Sequence, residues 1–193
     1  GTRPEAIKLC PLVRALQIDG RAKVDICVTG QHDTMLGSIF DLFEVVPNVN
    51  LHLMQPNQTL PTLASNAITA ISAYLAESKP DLVIVQGDTS TAFFGSLAAY
   101  YQKTGVAHVE AGLRTGLKYS PYPEEVNRRL ISVIADYHFA PTQTARKHLL
   151  SEGVADSTIA VTGNTGIDAL LFTVDKIRTK PPKVKLLERI APE

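Results

Sequence analysis

Three carboxylates have the residue type and spacing that acid–base chemistry needs. Asp88 lies in a Gly-containing turn just after the apolar run 82–85, Glu110 directly follows the apolar run 106–109, and Glu124 begins a helical stretch. A Gly-rich loop bearing an arginine joins Glu110 to Glu124, and its charges are costly to fold unless a ligand meets them. Carboxylates that share a crevice shift apart in pKa, so one can give a proton and another take it.

Each carboxylate also has a purely structural interpretation. Asp88 is a suitable N-cap for the helix that follows it, because short polar side chains accept hydrogen bonds from first-turn N–H groups. Glu124 has Arg128 four residues on, which is the spacing of a surface ion pair that contributes little stability. The functional interpretation is favoured if Asp88 and Glu110 end neighbouring strands of one sheet.

Two cations accompany a predicted helix start at the beginning of the chain. In the sequence GTRPEAIK, Pro4 suits the first helical position, Arg3 lies just before it and Lys8 lies about one turn in. Free N–H groups, the helix dipole and two cations together suit a diphosphate. A turn with solvated charges is the alternative interpretation.

A repeated pattern predicts the fold that positions these residues. Short apolar runs are followed by Gly-containing polar turns and by amphipathic stretches of about a dozen residues or more. The predicted strands are 24–28, 49–53, 82–85, 106–109, 137–139 and 159–161, and the predicted helices end near residues 43, 77, 101, 135, 152 and 177. This alternation predicts an α/β fold, a Rossmann-like doubly wound parallel sheet in three αβα layers, with ligands at the carboxyl ends of the strands.

The sequence at both ends of the chain predicts where a domain begins and ends. No strand precedes the helix at Pro4, although a doubly wound domain usually begins with one, and the sequence KPPK at 180–183 ends the last helix before a short charged tail. We expect residues 1–180 to form an N-terminal Rossmann-like domain that lacks its first strand. Residues 181–193 are then a tail leading to a second domain.

Composition and missing motifs exclude several classes of protein. Nineteen basic residues balance nineteen acidic ones, so no long-range field favours nucleic acid or an anionic membrane. No apolar run approaches the ~18 residues of a membrane span. Cys10 and Cys27 lack metal-ligand spacing, so we expect both to be core thiols of a cytoplasmic protein. The glycine signatures of dinucleotide and P-loop sites are absent, so we expect no cofactor and no metal, and His108, within a strand, is expected to be a satisfied core residue.

Several motifs in fixed order resemble one family. The sequences GTRPEAIK, VTGQH, QGDTSTAFFGSLAAYYQ, HVEAGLRTG, YSPYPEEVNR and VTGNTGIDALL resemble the non-hydrolysing UDP-N-acetylglucosamine 2-epimerases over residues 1 to about 171. The resemblance implies one half of a glycosyltransferase-B-like two-domain fold, a nucleotide sugar bound between the domains, and a homodimer. It also implies reversible epimerisation at C2 to UDP-N-acetylmannosamine, through loss of UDP to 2-acetamidoglucal and re-addition, as part of polysaccharide synthesis.

The resemblance also assigns roles by position. Asp88, Glu110 and Glu124 match the active-site carboxylates of the family, whereas Arg3, Lys8 and Arg128 match cations that bind substrate. Gln31, His32 and Gln58 match the site where some bacterial members bind a second substrate molecule as activator, and Asn57 stands where some of those members have an arginine.

Two other functions stay open at this point. The related hydrolysing epimerase releases free N-acetylmannosamine and UDP from the same substrate. Alternatively, because half of the cleft is expected in a second domain, the chain by itself is a non-catalytic nucleotide-sugar-binding or interaction module.

Overall fold

Helices and parallel strands alternate along the chain in a computed structural model, which describes residues 1–30, 33–55 and 57–181. The helices are α1 (Arg3–Asp19), α2 (Asp33–Phe43), α3 (Leu60–Ser78), α4 (Ser90–Tyr101), α5 (Glu124–Ile134), α6 (Gln143–Ser151) and α7 (Thr165–Thr179). The strands are β1 (Cys27–Val28), β2 (Val49–Asn50), β3 (Leu82–Gln86), β4 (Gly105–Val109), β5 (Tyr137–Ala140) and β6 (Ile159–Val161), and a 3₁₀ turn (Asp156–Thr158) precedes β6.

The main sheet has four parallel strands in the order β3-β4-β5-β6. Consecutive parallel strands need a crossover, and α4, α5 and α6 supply one each. Because all four strands run in the same direction, their carboxyl ends lie along one edge of the sheet. The predicted α/β class and its parallel sheet are confirmed.

The first two predicted strands are much shorter than expected and form a separate two-stranded parallel sheet. Gly30 at φ 77° and His52 at φ 47° take the left-handed conformation, which ends each extended segment. Backbone bonds still continue the pairing to Leu53, whose N–H lies 2.9 Å from the oxygen of Thr29. Within the described residues the parallel strands therefore fall into two sheets instead of the single sheet that the pattern predicts.

Three clusters of apolar side chains hold the helices in place, and one of them packs α6 against the end of β5. The largest joins α3, α4 and α5 to the main sheet and contains Leu75, Ala98 and Ile131, which are buried. The second joins α1, α2 and α7, where the Phe43 ring stacks on Phe172 with 5.0 Å between centroids. In the described part of the chain, no helix is long and apolar enough to cross a membrane.

Candidate active site

The parallel pairing of β3 with β4 brings Asp88 and Glu110 to one place. Gln86 is in register with Val109, so the residues that follow each strand leave the sheet side by side. The Gly87 N–H donates to the carbonyl oxygen of Val109 at 3.0 Å, which ties the two turns together. The predicted proximity of these two carboxylates is present in the structure.

Glu110 is held by a cation and by an amide. The Lys8 Nζ lies 2.6 Å from Oε1 and 2.7 Å from Oε2 of Glu110, and the Gln86 amide donates a third, very short hydrogen bond to Oε2. Glu110 also takes the left-handed conformation, at φ 67°. That conformation is uncommon for a residue with a side chain and costs of order 1–3 kcal/mol, and such strain concentrates at functional sites.

The loop after Glu110 is fixed by a close approach and by an ion pair. A Cβ atom on Gly112, whose φ is 87°, would lie 2.3 Å from the backbone oxygen of Ala145, so only glycine fits there. The Arg114 side chain is 5% exposed and binds both carboxylate oxygens of Glu152, at 2.8 and 2.7 Å. The arginine of this loop therefore already has a counter-charge, and the expectation that a ligand must meet the loop's charge is wrong for it.

Asp88 is bound on one side by α5. The Arg128 Nη2 lies 2.5 Å from Oδ2 of Asp88, and the Asn127 Nδ2 lies 3.0 Å from its backbone oxygen. The Asp88 side chain is 29% exposed, and Asp88 lines a cleft at this edge of the sheet. Burial raises the pKa of Asp88; the charges of Glu124 and Glu110 act in the same direction, whereas Arg128 and Lys8 oppose it.

The structural interpretations of Asp88 and Arg128 are wrong in this structure. Thr89, not Asp88, is the N-cap of α4, since its hydroxyl accepts the N–H of Ala92 at 3.1 Å. Arg128 is 10% exposed and its close carboxylate partner is Asp88, forty residues earlier, not Glu124 on the same helix. The four-residue spacing favours a surface ion pair between Glu124 and Arg128, but Arg128 instead binds Asp88, which follows β3.

Glu124 lies near Asp88 without being bound to it. Its charge contributes to the raised pKa of Asp88, and its Oε2 is buried with no hydrogen-bond partner among the described residues. A buried carboxylate oxygen without a partner is costly. Oε2 of Glu124 is therefore an unfilled hydrogen-bond acceptor.

Glu125, next to it, holds the 113–123 loop against α5. Its carboxylate is fully buried and accepts the N–H groups of Thr115 at 3.1 Å and Gly116 at 3.2 Å, together with Arg129 Nε at 3.1 Å. Arg128 Nη1 lies 3.7 Å from it. Although burial acts in the opposite direction, these bonds lower the pKa of Glu125.

A cleft of about 490 Å³ lies beside Asp88 and Glu110, between the start of α1 and the edge of the sheet. It is lined by Thr2, Arg3, Pro4, Glu5, Lys8, Gln86, Gly87, Asp88, Thr89 and Glu110. The lining carries two cations, Arg3 and Lys8, against three carboxylates. Glu124 and Arg128 are not among the lining residues, although Arg128 binds Asp88, which is one of them.

The helix start at this cleft is already capped. The Thr2 side chain accepts the N–H of Glu5, and the Glu5 carboxylate accepts the N–H of Thr2 at 2.5 Å. The Thr89 hydroxyl also donates to Glu5, at 2.9 Å, which joins the N-termini of α1 and α4. Two of the N–H groups expected to bind a diphosphate thus have partners, and α1 begins at Arg3 so that Pro4 is its second residue.

Comparison with known proteins identifies the family. A model of the UDP-N-acetylglucosamine 2-epimerase family matches residues 14–193. The chain belongs to this family. UDP-N-acetylglucosamine 2-epimerase of Escherichia coli strain K12 is 53% identical over 177 residues, which are 92% of this chain and 47% of that protein. The chain therefore spans about half the length of the curated relatives it matches.

Solved structures of the family agree with this fold. The enzyme of Neisseria meningitidis, crystallised with UDP-GlcNAc, superposes with a TM-score of 0.92 at 46% identity, over all of this chain and 52% of that one. The enzyme of Methanocaldococcus jannaschii, in complex with UDP-GlcNAc and UDP, gives a TM-score of 0.86 at 37% identity, over 98% of this chain and 51% of that one.

Of the three residues that the resemblance assigns to an activator site, the structure describes one. Gln31 and His32 lie outside the described residues. Gln58 is described: its Oε1 lies 3.3 Å from the Gln55 N–H, and its Nε2 is buried without a partner among the described residues. Asn57 beside it is left-handed, at φ 57°. Gln58 does not line the cleft beside Asp88 and Glu110.

Sequence reasoning missed Gln86 and Glu125. Gln86 lies at the strand end beside Glu110, where a polar residue closing an otherwise apolar run was the available signal. Glu125 gives no such signal, because a second glutamate in the first turn of a helix ordinarily faces solvent and complements the helix dipole.

Proposed function

We propose that the protein to which this chain belongs interconverts UDP-N-acetylglucosamine and UDP-N-acetylmannosamine. UDP leaves as the C2 proton is removed, 2-acetamidoglucal forms, and UDP adds back with protonation on the other face. The observation that carries the proposal is the pair Asp88 and Glu110, each bound to a cation at the edge of one cleft. Family membership supports the substrate.

The chemistry explains why such a site needs several carboxylates. C2 of a glycoside has no adjacent carbonyl group that would make its hydrogen acidic, so direct removal and return of the proton is slow. Departure of the diphosphate from C1 develops positive charge beside C2 while the C2 proton is removed, and the alkene forms. The site must supply a base, an acid and a negative charge close to C1.

Asp88 is our candidate for proton transfer. Its side chain is 29% exposed beside the cleft that it lines, and burial raises its pKa, which makes its protonated form more accessible than that of an ordinary aspartate. Glu124 is the second candidate, because its buried Oε2 is unbound among the described residues and its charge affects Asp88. The two carboxylates would serve the two faces of C2.

Glu110 suits a different role. Lys8 binds both of its oxygens and Gln86 binds one, so its lone pairs are largely occupied. A carboxylate held in this way is better placed to stabilise positive charge at C1 than to take a proton. Lys8 would in turn exchange its contact with Glu110 for the leaving diphosphate.

The charges that line the cleft indicate that a bound diphosphate requires further cations. Arg3 and Lys8 face Glu5, Asp88 and Glu110, so the lining has no excess positive charge for a diphosphate. We therefore propose that the rest of the protein supplies most of the diphosphate contacts. The chain by itself would bind the nucleotide weakly and turn nothing over.

Product analysis tests this proposal. Full-length protein incubated with UDP-N-acetylglucosamine should give UDP-N-acetylmannosamine and reach the same mixture from either side. Accumulation of free N-acetylmannosamine with stoichiometric UDP would identify the hydrolysing reaction instead. Turnover by residues 1–193 alone would refute the requirement for the rest of the protein.

A further inference from the structure

Two side chains from different elements bind the backbone on either side of Asp88. The His108 Nε2 lies 2.7 Å from the carbonyl oxygen of Gly87, and the Asn127 Nδ2 lies 3.0 Å from that of Asp88. A carbonyl oxygen only accepts hydrogen bonds, so Nε2 of His108 carries the ring proton. The Gly87 N–H donates to Val109, and the turn is therefore fixed at three points.

The His108 ring is suited to a fixed, uncharged role. His108 is fully buried, and burial lowers its pKa to about 4 although the bond to Gly87 acts in the opposite direction. Its Nδ1 has no hydrogen-bond partner within the described residues. The ring is therefore not the satisfied core histidine that the sequence predicts, since only one of its nitrogens is bonded.

The backbone at Gly87 is intrinsically free to rotate. Gly87 takes the left-handed conformation, at φ 73°, which is one of several that glycine adopts without strain, and the next residue is Asp88. Rotation of this peptide group would change the direction in which the Asp88 carboxylate leaves the turn. The charged groups that act on that carboxylate, Glu124, Glu110, Arg128 and Lys8, come from other segments of the chain, so their effect depends on that direction.

We propose that His108 is a positioning residue for Asp88, which holds the Gly87 carbonyl through its Nε2–H while Asn127 holds the carbonyl of Asp88. The effect on catalysis rests on the proposed function. The effect on the geometry and titration of Asp88 does not.

The chain contains a matched control for this role. His138 lies directly opposite His108 in the pairing of β4 with β5 and is 2% exposed. Its Nε2 lies 3.0 Å from the backbone oxygen of Ser132, and its Nδ1 is also unbonded within the described residues. The two histidines share burial and bond type, but only His108 binds the turn that carries Asp88.

The experiment compares His108→Leu, His108→Gln and His138→Leu in the full-length protein. We expect His108→Leu to lower kcat roughly 10- to 100-fold with KM changed by less than about threefold, because a small displacement of a catalytic group acts on turnover. The glutamine amide can reach the same carbonyl and should restore most of kcat. His138→Leu should leave kcat within about threefold of the parent while losing comparable stability in urea.

A second readout does not depend on turnover. In a ¹³C NMR titration of its carboxyl group, Asp88 should show a raised pKa in the parent, a pKa closer to the ordinary 3.8 in His108→Leu, and the parent value in His138→Leu. An unchanged Asp88 titration in His108→Leu, or equal kcat losses in the two leucine variants, would overturn the proposal. If the parent does not epimerise but the Asp88 shift occurs, the proposed function fails and the positioning role stands.

Discussion

Replacing Glu125 with glutamine is expected to free the 113–123 loop. Glutamine keeps the shape but offers one acceptor oxygen and no charge, so its NH₂ group must face either the N–H groups of the loop or the guanidinium groups. Each hydrogen bond to a charged group contributes ~1.5–3 kcal/mol, and removing one partner of a buried pair costs ~3–5 kcal/mol. Because one oxygen remains and Arg128 keeps Asp88 at 2.5 Å, we expect a loss of roughly 2–4 kcal/mol in the free energy of unfolding.

Two assays on the intact protein test this expectation. Urea unfolding gives the loss in free energy, and amide hydrogen exchange at Thr115 and Gly116, which donate to Glu125, should become roughly 10- to 100-fold faster. A lowered carboxyl pKa stabilises the fold above the ordinary value of 4.5, and this contribution is lost as the pH falls through the lowered value. The difference between Glu125→Gln and the parent should thus be full at pH 7 and shrink below pH 4.5.

Glu124→Gln is the matched control, since it changes the same side chain one residue earlier. Glu124 Oε2 makes no bond within the described residues, so the free energy of unfolding should change by less than about 1 kcal/mol while kcat falls. Unchanged exchange at Thr115 and Gly116 in Glu125→Gln, or the same loss of stability in both variants, would refute this reasoning.

Two further substitutions test other parts of the site. Asp88→Asn should lower kcat by roughly 10²- to 10⁴-fold. Burial raises the pKa of Asp88, so its negative charge destabilises the fold only above the ordinary pKa of 3.8. The stability of the asparagine variant in urea should therefore increase relative to the parent between pH 3 and pH 7. A relative loss of stability over this range would contradict the raised pKa. Gly112→Ala should cost roughly 2–5 kcal/mol in urea unfolding, because its Cβ would lie 2.3 Å from Ala145 at φ 87°. Gly163→Ala, at φ 82° with nothing within 4 Å, should cost only about 1–2 kcal/mol, and equal losses would remove the role of the close approach.

Local pattern was sufficient to predict much of the fold and the centre of the site. The β3 and β4 runs are short, apolar and followed by polar turns, and parallel pairing alone brings Asp88 and Glu110 together. The shortness of β1 and β2 was not predictable from apolar pattern, because it depends on left-handed residues such as His52, which ordinarily adopts other conformations.

The partners of the charged residues were the least predictable part. Helical spacing predicts that Arg128 pairs with Glu124, but Arg128 binds Asp88 from another segment, and Lys8 binds Glu110 across 102 positions of sequence. Glu124 and Glu125 are indistinguishable as neighbouring glutamates in a first turn. Only the tertiary fold leaves Oε2 of Glu124 without a hydrogen bond from the described residues and gives Glu125 two loop N–H groups.

The most direct test of the central claim is the fate of the C2 hydrogen. Full-length protein should be incubated with UDP-N-acetylglucosamine in heavy water, and both epimers should be recovered and analysed by NMR. Elimination and re-addition predicts UDP-N-acetylmannosamine with deuterium at C2, and deuterium entering the substrate pool as the reaction approaches equilibrium. Epimer without deuterium at C2, or no epimer at all, would contradict the account.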